Sequence, residues 1–586
     1  MAHGLGAPLG RPCFGIVHAR HSSASEPRGH GAWRWIECAM RDASDAVKIP
    51  PSLRAALLVA TAVAFSLRAW DITGQVVMDD EWHAIHKLIS AGYGGVFNTF
   101  GLADHSIPLT LFYKAMADTS GLTEGRMRAL QIAFGTALVP IAAWVAWRAT
   151  RDAAATALFA FLLSASPFLV YWSRYARPYA ITLTLTVVCL AALWEWRAAR
   201  SPRLAGWVVA CAAFATWLHA ISILFPATAW SFVFVEAMAA PAPLRGGAVR
   251  SALRLGLQMA LAILVLLAVP LHHDLRSLLG KAGGDHANFA TFDRMISIFW
   301  GGLPAAATAG ACALSAAGAI TLWRRNARMV AYLGFVALAP VAALTVVGAA
   351  WIQEGQTFAR YVLPVQVILM LLASIGTTSL ARLIYRPVPE GAAWLAASLF
   401  SAAYLLAVPT VGYVVALGPW FGHTDYHWDY RYRWNFAKRH DAAYSPPQFY
   451  LKLGRMPAGT APIIEAPFSF AAPFNDLAYY ATFHRQPETL GMLHDLCLEG
   501  PRQGEPPAHD PRFRFRKFIF LDDVQAVHSS GARYLLLLRD SVNGRPFREF
   551  PVCLEKLTRL YGKPVSVDSR VAVFDLEPGE PPPKLQ

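Results

Sequence analysis

Long apolar runs separated by short polar joins fill the chain between residues 52 and 416. A run needs ~17–25 residues to cross a bilayer as a helix. About eleven pass that length test, at roughly 52–70, 127–147, 153–173, 178–196, 204–219, 221–238, 252–271, 303–323, 329–350, 361–380 and 392–416. The fifth and sixth meet at His219, the least distinct of the divisions. Gly, Pro and small residues recur inside the runs, as packed membrane helices tolerate. Between the first and second runs lies a long polar join, 71–126. Within it AIHKLISAGYGGVF has the apolar spacing of a helix lying flat at the interface, and SIPLTLFYKAMADTSG reads as a second interfacial or re-entrant helix. The stretch 287–302 is amphipathic in the same way.

Past residue 417 the pattern changes. GPWFGHTDYHWDYRYRWNF is aromatic and polar, and its 426–434 portion suits an interface belt. APIIEAP, FRKFIFL, ARYLLLL and RVAVFDL then read as short strands, with helical pieces such as 475–484 between them. The expected fold class is therefore a mostly α polytopic membrane protein with about eleven transmembrane helices and a small extracytoplasmic C-terminal α/β domain. The expected boundaries are a disordered cytoplasmic tail over 1–50, a membrane domain over 51–416, the α/β domain over 417–578 and a disordered tail over 579–586.

Composition agrees with this pattern. Hydrophobic residues make up 55% of the chain and charged residues 15%, against about 25% in a soluble domain. The net charge of +14 comes largely from arginines placed between apolar segments. That placement points to loops and anionic lipid rather than nucleic acid. Alternate joins carry RATR, RAARSPR, LRGGAVRSALR, RRNAR and ARLIYR. The positive-inside rule makes those joins cytoplasmic, with the N-terminus inside and the C-terminal domain outside. The joins 71–126, 174–177, 272–302 and 351–360 then share the outer face. Cys497 and Cys553 are the two cysteines of the C-terminal polar region, and both would face an oxidising compartment, so a disulfide between them is expected. No CxxC or zinc-type His/Cys spacing is present.

The candidate chemistry begins at VVMDDEWHAIHKL, where Asp79, Asp80 and Glu81 follow the first apolar run directly. Three adjacent acids suit a solvated helix start. They also suit a general base, because the other outer joins supply cations. YWSRYARPY offers Arg174, Arg177 and Tyr179. The stretch 272–281 offers His272, His273, Arg276 and Lys281, and EGQTFARYVLP offers Glu354, Arg360 and Tyr361. A carboxylate takes a proton from an acceptor hydroxyl, and guanidinium groups neutralise a phosphate leaving group. One base opposite a good leaving group gives direct displacement with inversion. Arg174 and Arg177 have a plainer reading as snorkelling headgroup anchors. His219 has one as an interface histidine. The acids with His83, His86 and His105 offer ligands for a divalent ion, but no spacing demands one, so no cofactor is expected.

The motifs in order resemble those of the GT-C glycosyltransferases, in particular the group containing the family 39 protein O-mannosyltransferases, the aminoarabinose transferase of lipid A modification and related bacterial enzymes. The matching residues are Asp80-Glu81 after the first span, His105 to Leu109, then Gly121, Glu124 and Arg128. SPFLVYWSRYARPYAI at 166–181, His219 and ARYVLPV at 359–365 continue the match, which runs through most of 53–380. The resemblance implies a polyprenyl-phosphate sugar donor and an extracytoplasmic glycan, lipid or protein acceptor. It implies no nucleotide sugar, and a base at Asp80 with Glu81 beside it. Asp79 is an extra acid relative to the usual pair and leaves the choice between the two aspartates open. Arg177, Tyr179, Arg174, Arg360, His105 and His219 are the expected lipid-phosphate and substrate contacts. The Ala- and Arg-rich composition suggests a bacterial inner membrane. Two rivals share the topology: a transporter or flippase, and a polymerase or ligase of lipid-linked surface glycans. The span interiors are almost free of charge, which favours chemistry at one face over a midplane transport site.

Overall fold

The computed structural model describes residues 49–75, 77, 79–101, 105–408, 410, 446–467, 484–499, 510–541 and 545–577. The expected tail over 1–48, the aromatic run 426–434, the helical piece at 475–483 and the tail from 579 lie outside the described residues, as does the Asp79 side chain.

The helices, in chain order, begin with α1 (Pro51–Ala69) and a 3₁₀ turn at Asp79–Glu81. The loop after α1 supplies α2 (Trp82–Ser90), α3 (Tyr93–Phe97) and α4 (Ile107–Ser120). The chain re-enters the apolar layer as α5 (Glu124–Thr150), α6 (Ala153–Ala165), α7 (Pro167–Ser173), α8 (Tyr179–Ala199), α9 (Pro202–Leu218) and α10 (Leu224–Met238). Next come α11 (Ala242–Leu279), α12 (Phe289–Phe299), α13 (Ala305–Val347), α14 (Gly355–Tyr361), α15 (Leu363–Ile384) and α16 (Pro389–Ala407). The C-terminal region adds α17 (Gln448–Leu453), α18 (Val524–Ser529) and α19 (Phe550–Tyr561).

Among the described residues eight helices are long and apolar enough to cross a membrane, or nine if the bent pair α6–α7 counts as one span. The chain is a multi-pass membrane protein by that measure. The difference from about eleven apolar runs has physical sources. α6 and α7 meet at a 55° bend, where Ser166 precedes Pro167. α9 is a shorter apolar helix of 17 residues. α13 is 43 residues long, but Asn326 has non-helical angles (φ −152°, ψ 80°) inside the RRNAR join. The chain folds back there, because Val347 O accepts from Gly283 N just past α11, on the face where Asp274 of α11 binds Thr99 of the loop after α1. α13 crosses α15 tightly: a Cβ on Gly318 would lie 1.8 Å from Leu372 O, and one on Gly376 would lie 2.0 Å from Leu314 O. Only glycine lets the two backbones approach so closely.

The C-terminal strands are β1 (Ile463–Ala466), β2 (Glu488–Met492), β3 (Phe518–Phe520), β4 (Tyr534–Leu538), β5 (Asp540–Ser541), β6 (Arg545–Pro546), β7 (Ser566–Val567) and β8 (Val571–Asp575). Six form one sheet in the order β3-β2-β1-β4-β8-β7. The β3-β2-β1-β4 part is parallel, and β8 joins antiparallel to both β4 and β7. The period-2 alternation of a strand sorts the two faces. Ile464, Leu535 and Leu537 pack with α19. Ile463, Leu490, Tyr534 and Leu536 pack in one cluster with Trp82, Ile85, Tyr113 and Met127 of the loop after α1 and α5. Cys497 and Cys553 are disulfide-bonded, with Cα atoms 5.1 Å apart, as both facing one oxidising compartment predicts.

The sheet therefore sits directly on the helix that follows the acidic turn. The isolated bridge Leu122–Phe513 fixes this seat, with Leu122 N donating to Arg512 O at 2.7 Å and Arg514 N donating to Leu122 O at 2.8 Å. Glu124 Oε1 accepts from Lys517 N at 3.0 Å. Trp82 meets Phe515 and Phe518 edge-on, at 6.1 and 5.0 Å between ring centres.

Candidate active site

The acidic turn is shaped by its last residue. Glu81 is fully buried, and Arg128 of α5 grips it with two bonds, Nε to Oε1 at 2.9 Å and Nη2 to Oε2 at 2.7 Å. Glu81 Oε1 also accepts from Ala176 N at 2.7 Å, and Arg128 Nη1 donates to Gln75 O at 2.8 Å. This bidentate pair ties three segments together: the end of the 71–81 loop, α5 and the turn between α7 and α8. A 3₁₀ turn has three residues per revolution, so successive side chains point about 120° apart. With Glu81 anchored inward, Asp80 is turned to the opposite wall.

There Asp80 meets two guanidinium groups brought from far along the chain. Asp80 Oδ2 lies 2.9 Å from Arg360 Nη1 and 3.9 Å from Arg177 Nη2, and Oδ1 lies 3.4 Å from His83 Nε2. Arg177 Nη1 also donates to Asp80 O at 3.4 Å. The three side chains are 11–17% exposed, so the cluster is partly open rather than sealed. Burial by itself raises the Asp80 pKa, but Arg177, the His83 hydrogen bond and Arg360 outweigh it and hold the carboxyl well below its usual range. Burial tends to lower the Arg177 pKa, and the Asp80 carboxylate outweighs that and raises it.

Arg360 comes from α14, a short helix clamped against α12. A Cβ on Gly355 would fall 2.4 Å from Arg294 Cβ, so glycine is required for that approach. The Arg360 guanidinium stands over three rings, 5.3 Å from Tyr361, 5.5 Å from Tyr179 and 5.9 Å from Trp172. Cation–π contact of this kind holds a guanidinium in place without removing its donors. His219 continues the ring row, 5.2 Å from Tyr179 and 5.6 Å from Tyr361. A small cavity of about 20 Å³ lies among Arg360, Tyr179, His219, Tyr361, Thr182 and Phe225.

The structure thus brings Asp80, Arg177 and Arg360 together, with Tyr179 against the Arg360 guanidinium and His219 beside Tyr179. Arg174 has other bonds: it is fully buried and donates to the carbonyls of Leu67, Arg68 and Trp70 at 3.2, 3.2 and 2.7 Å. It closes the end of α1, whose last carbonyls otherwise lack partners. Its Nε meets Gln75 Oε1 at 3.2 Å, and Gln75 Nε2 returns a bond to Arg174 O at 3.1 Å. His105 is buried against Gly101, where an added Cβ would lie 3.2 Å from the imidazole. The reading of the sequence did not foresee the gripping role of Arg128, nor those of Gln75 and Trp172. The signal for Arg128 was its place in the resemblance, in the first turns of an apolar helix beside Arg126.

Among the described residues one group places ligand-type atoms within 4.8 Å of one another: Glu465 on β1, Glu488 on β2 and His484. Its chemistry favours protons over an ion. His484 Nδ1 already accepts from Gln486 N at 3.0 Å, so a neutral imidazole carries its proton on Nε2 and has no second lone pair to offer. Tyr450 OH donates to Glu465. Burial raises the pKa of both carboxyls, and repulsion from Glu465 adds to it at Glu488, which stands well above its ordinary value. Two buried carboxyls sharing a proton match that environment.

No family model and no curated protein matches the chain. Among solved structures, it is similar to ArnT from Cupriavidus metallidurans bound to undecaprenyl phosphate, at 14% identity and a TM-score of 0.41, over 90% of this chain and 98% of that one. The apo form of the same protein gives 14% identity and 0.42, over 93% and 98%. The archaeal oligosaccharyltransferase AglB from Archaeoglobus fulgidus, in complex with an inhibitory peptide and a dolichol-phosphate, gives 10% identity and 0.37, over 83% and 69%. Superpositions this loose bear no weight in assigning the site.

Proposed function

We propose that the protein is a membrane glycosyltransferase of GT-C type that moves a sugar from a polyprenyl-phosphate donor to an extracytoplasmic acceptor. The observation that carries this reading is the Asp80–Arg177–Arg360 cluster, with the Arg360 guanidinium held over Tyr179, Tyr361 and Trp172. The donor phosphate takes the guanidinium groups of Arg360 and Arg177. Asp80 then accepts the proton of the acceptor hydroxyl as that oxygen attacks the anomeric carbon. The bond from the anomeric carbon to the phosphate oxygen breaks, and its electron pair leaves with the polyprenyl phosphate. Attack opposite the leaving group inverts the anomeric configuration. Glu81 is the positioning residue, since its bonds to Arg128 and Ala176 N fix the turn that aims Asp80. No step requires a metal ion.

The test uses purified full-length protein with a panel of polyprenyl-phosphate sugars and cell-envelope acceptors, followed by mass spectrometry. The expected result is acceptor-dependent release of polyprenyl phosphate without added nucleotide sugar. A transfer that proceeds only with nucleotide sugar would overturn the reading, and so would sugar-lipid movement across a vesicle membrane with no bond cleavage.

A further inference from the structure

At the far end of α8 from Tyr179 the bundle has a second cavity. The 21 residues of that helix put it ~31 Å from the acidic cluster at 1.5 Å per residue. It has a volume of about 550 Å³ and lies between α9 and α11. That is within the ~300–1,000 Å³ range of ligand cavities. Its polar wall is Arg200, Arg254, Ser251 and Gln258, and its floor is Val209 and Leu255. Arg200 ends α8 in a left-handed conformation (φ 50°) and stacks 4.3 Å over Trp196. Of the two acids near this face, Glu195 pairs with Arg148 at 3.3 Å, and Glu236 pairs with Arg197 at 3.1 Å while its charge also reaches Arg200. Among the described residues neither Arg200 nor Arg254 makes an ion pair.

The surroundings of the cavity decide what reaches it. Leu253, Leu257 and Leu261 of α11 and Trp207 of α9 are 48–60% exposed beside it. Large apolar side chains exposed in a row on a spanning helix face lipid, not water. A ligand here must present an anion to two arginines and hydrocarbon to Val209 and Leu255. We propose that this cavity is a binding site for one anionic membrane phospholipid, its phosphate held between Arg200 and Arg254 and an acyl chain lying along α11. Ser251 and Gln258 are placed to hydrogen-bond the headgroup and ester oxygens. The occupant comes from the bilayer and not from solution, because the cavity opens among lipid-facing side chains. The inference is independent of the transferase reading, since it uses none of that site's residues.

The experiment uses delipidated full-length protein in an uncharged detergent. Thermal scanning and nondenaturing mass spectrometry are run with phosphatidylglycerol, phosphatidylcholine or inorganic phosphate. The expected result is one retained phosphatidylglycerol per chain and a raised Tm with that lipid alone. Arg200→Gln with Arg254→Gln should weaken its apparent affinity about tenfold, which is 1.4 kcal/mol. Removing the same charge outside the cavity, by Arg245→Gln with Arg250→Gln, should leave it within about twofold. Gly206→Phe keeps every arginine and fills the opening, where an added Cβ meets nothing within 4 Å, and it should also abolish retention. Equal effects of phosphatidylcholine would overturn the proposal. So would a response to inorganic phosphate alone, or equal losses in the two charge-removed variants.

Discussion

At Asp80 the physical question is how a carboxylate clasped by two guanidinium groups serves as a base, when such pairing lowers its basicity. In the proposed reaction the donor phosphate would resolve it: drawing Arg360 and Arg177 to itself, it would release Asp80 and raise its pKa as the acceptor hydroxyl arrives. Before substrate binds, the depressed pKa keeps Asp80 ionised throughout the neutral range. Its contribution to stability is present above the unfolded pKa of about 3.9 and is lost as pH falls through the lower folded value. Arg360→Gln should move that acid window upward toward the ordinary aspartate pKa, as an acid titration followed by tryptophan fluorescence would record. The same variant should lower kcat/KM by about 10²–10³ if the guanidinium neutralises the leaving group. Glu81 and Arg128 answer to a different readout. They form a buried bidentate pair, so Arg128→Met alone leaves an uncompensated charge and should cost about 3–5 kcal/mol, seen as a large fall in Tm. Glu81→Leu with Arg128→Met should recover part of that loss, because no buried charge remains.

Among the elements, α2, α4 and α12 were legible as short helices because that reading needs only local pattern. The RRNAR join was legible as a break, and the non-helical Asn326 makes it by dividing α13 into two helical halves. The division of labour inside Asp79–Glu81 was not legible. It depends on whether the turn is 3₁₀ or α, and that is settled by Arg128, 47 residues away in sequence. The separate jobs of Arg174 and Arg177 were equally hidden. Both stand in one short join, but the first is drawn to the open carbonyls of α1 and the second to Asp80. In the sheet, Glu465 and Glu488 occupy inward positions of two paired strands, where the pattern of a strand calls for apolar residues. Their raised pKa values mean that the folded chain holds protons the unfolded chain has released. Stability therefore falls as pH climbs above the ordinary glutamate value of about 4.3. Glu488→Gln removes that burden and should raise Tm at pH 8 by roughly 1 °C, for a gain near 1 kcal/mol in a chain of this length, and leave Tm at pH 4 nearly unchanged.

For the whole molecule, the C-terminal sheet serves as the back wall of the acidic turn, through Leu122, Glu124 and Trp82. The Cys497–Cys553 bond closes a separation of 56 residues around one edge of that sheet. Loop-closure entropy for a loop of that size is worth roughly 4 kcal/mol. Reduction, or Cys553→Ala, should thus loosen the sheet and lower turnover without touching any group at Asp80. Limited proteolysis would show the C-terminal region cut first. The central claim is that residues from three distant segments, Asp80, Arg177 and Arg360, form one centre for breaking a sugar–phosphate bond. The most direct measurement is single-turnover transfer by Asp80→Asn, with binding of polyprenyl phosphate followed in the same preparation. The account predicts at least about a 10²–10⁴-fold loss of the chemical step, with the Tm of a folded protein and lipid binding retained. Transfer at the wild-type rate by Asp80→Asn would contradict it.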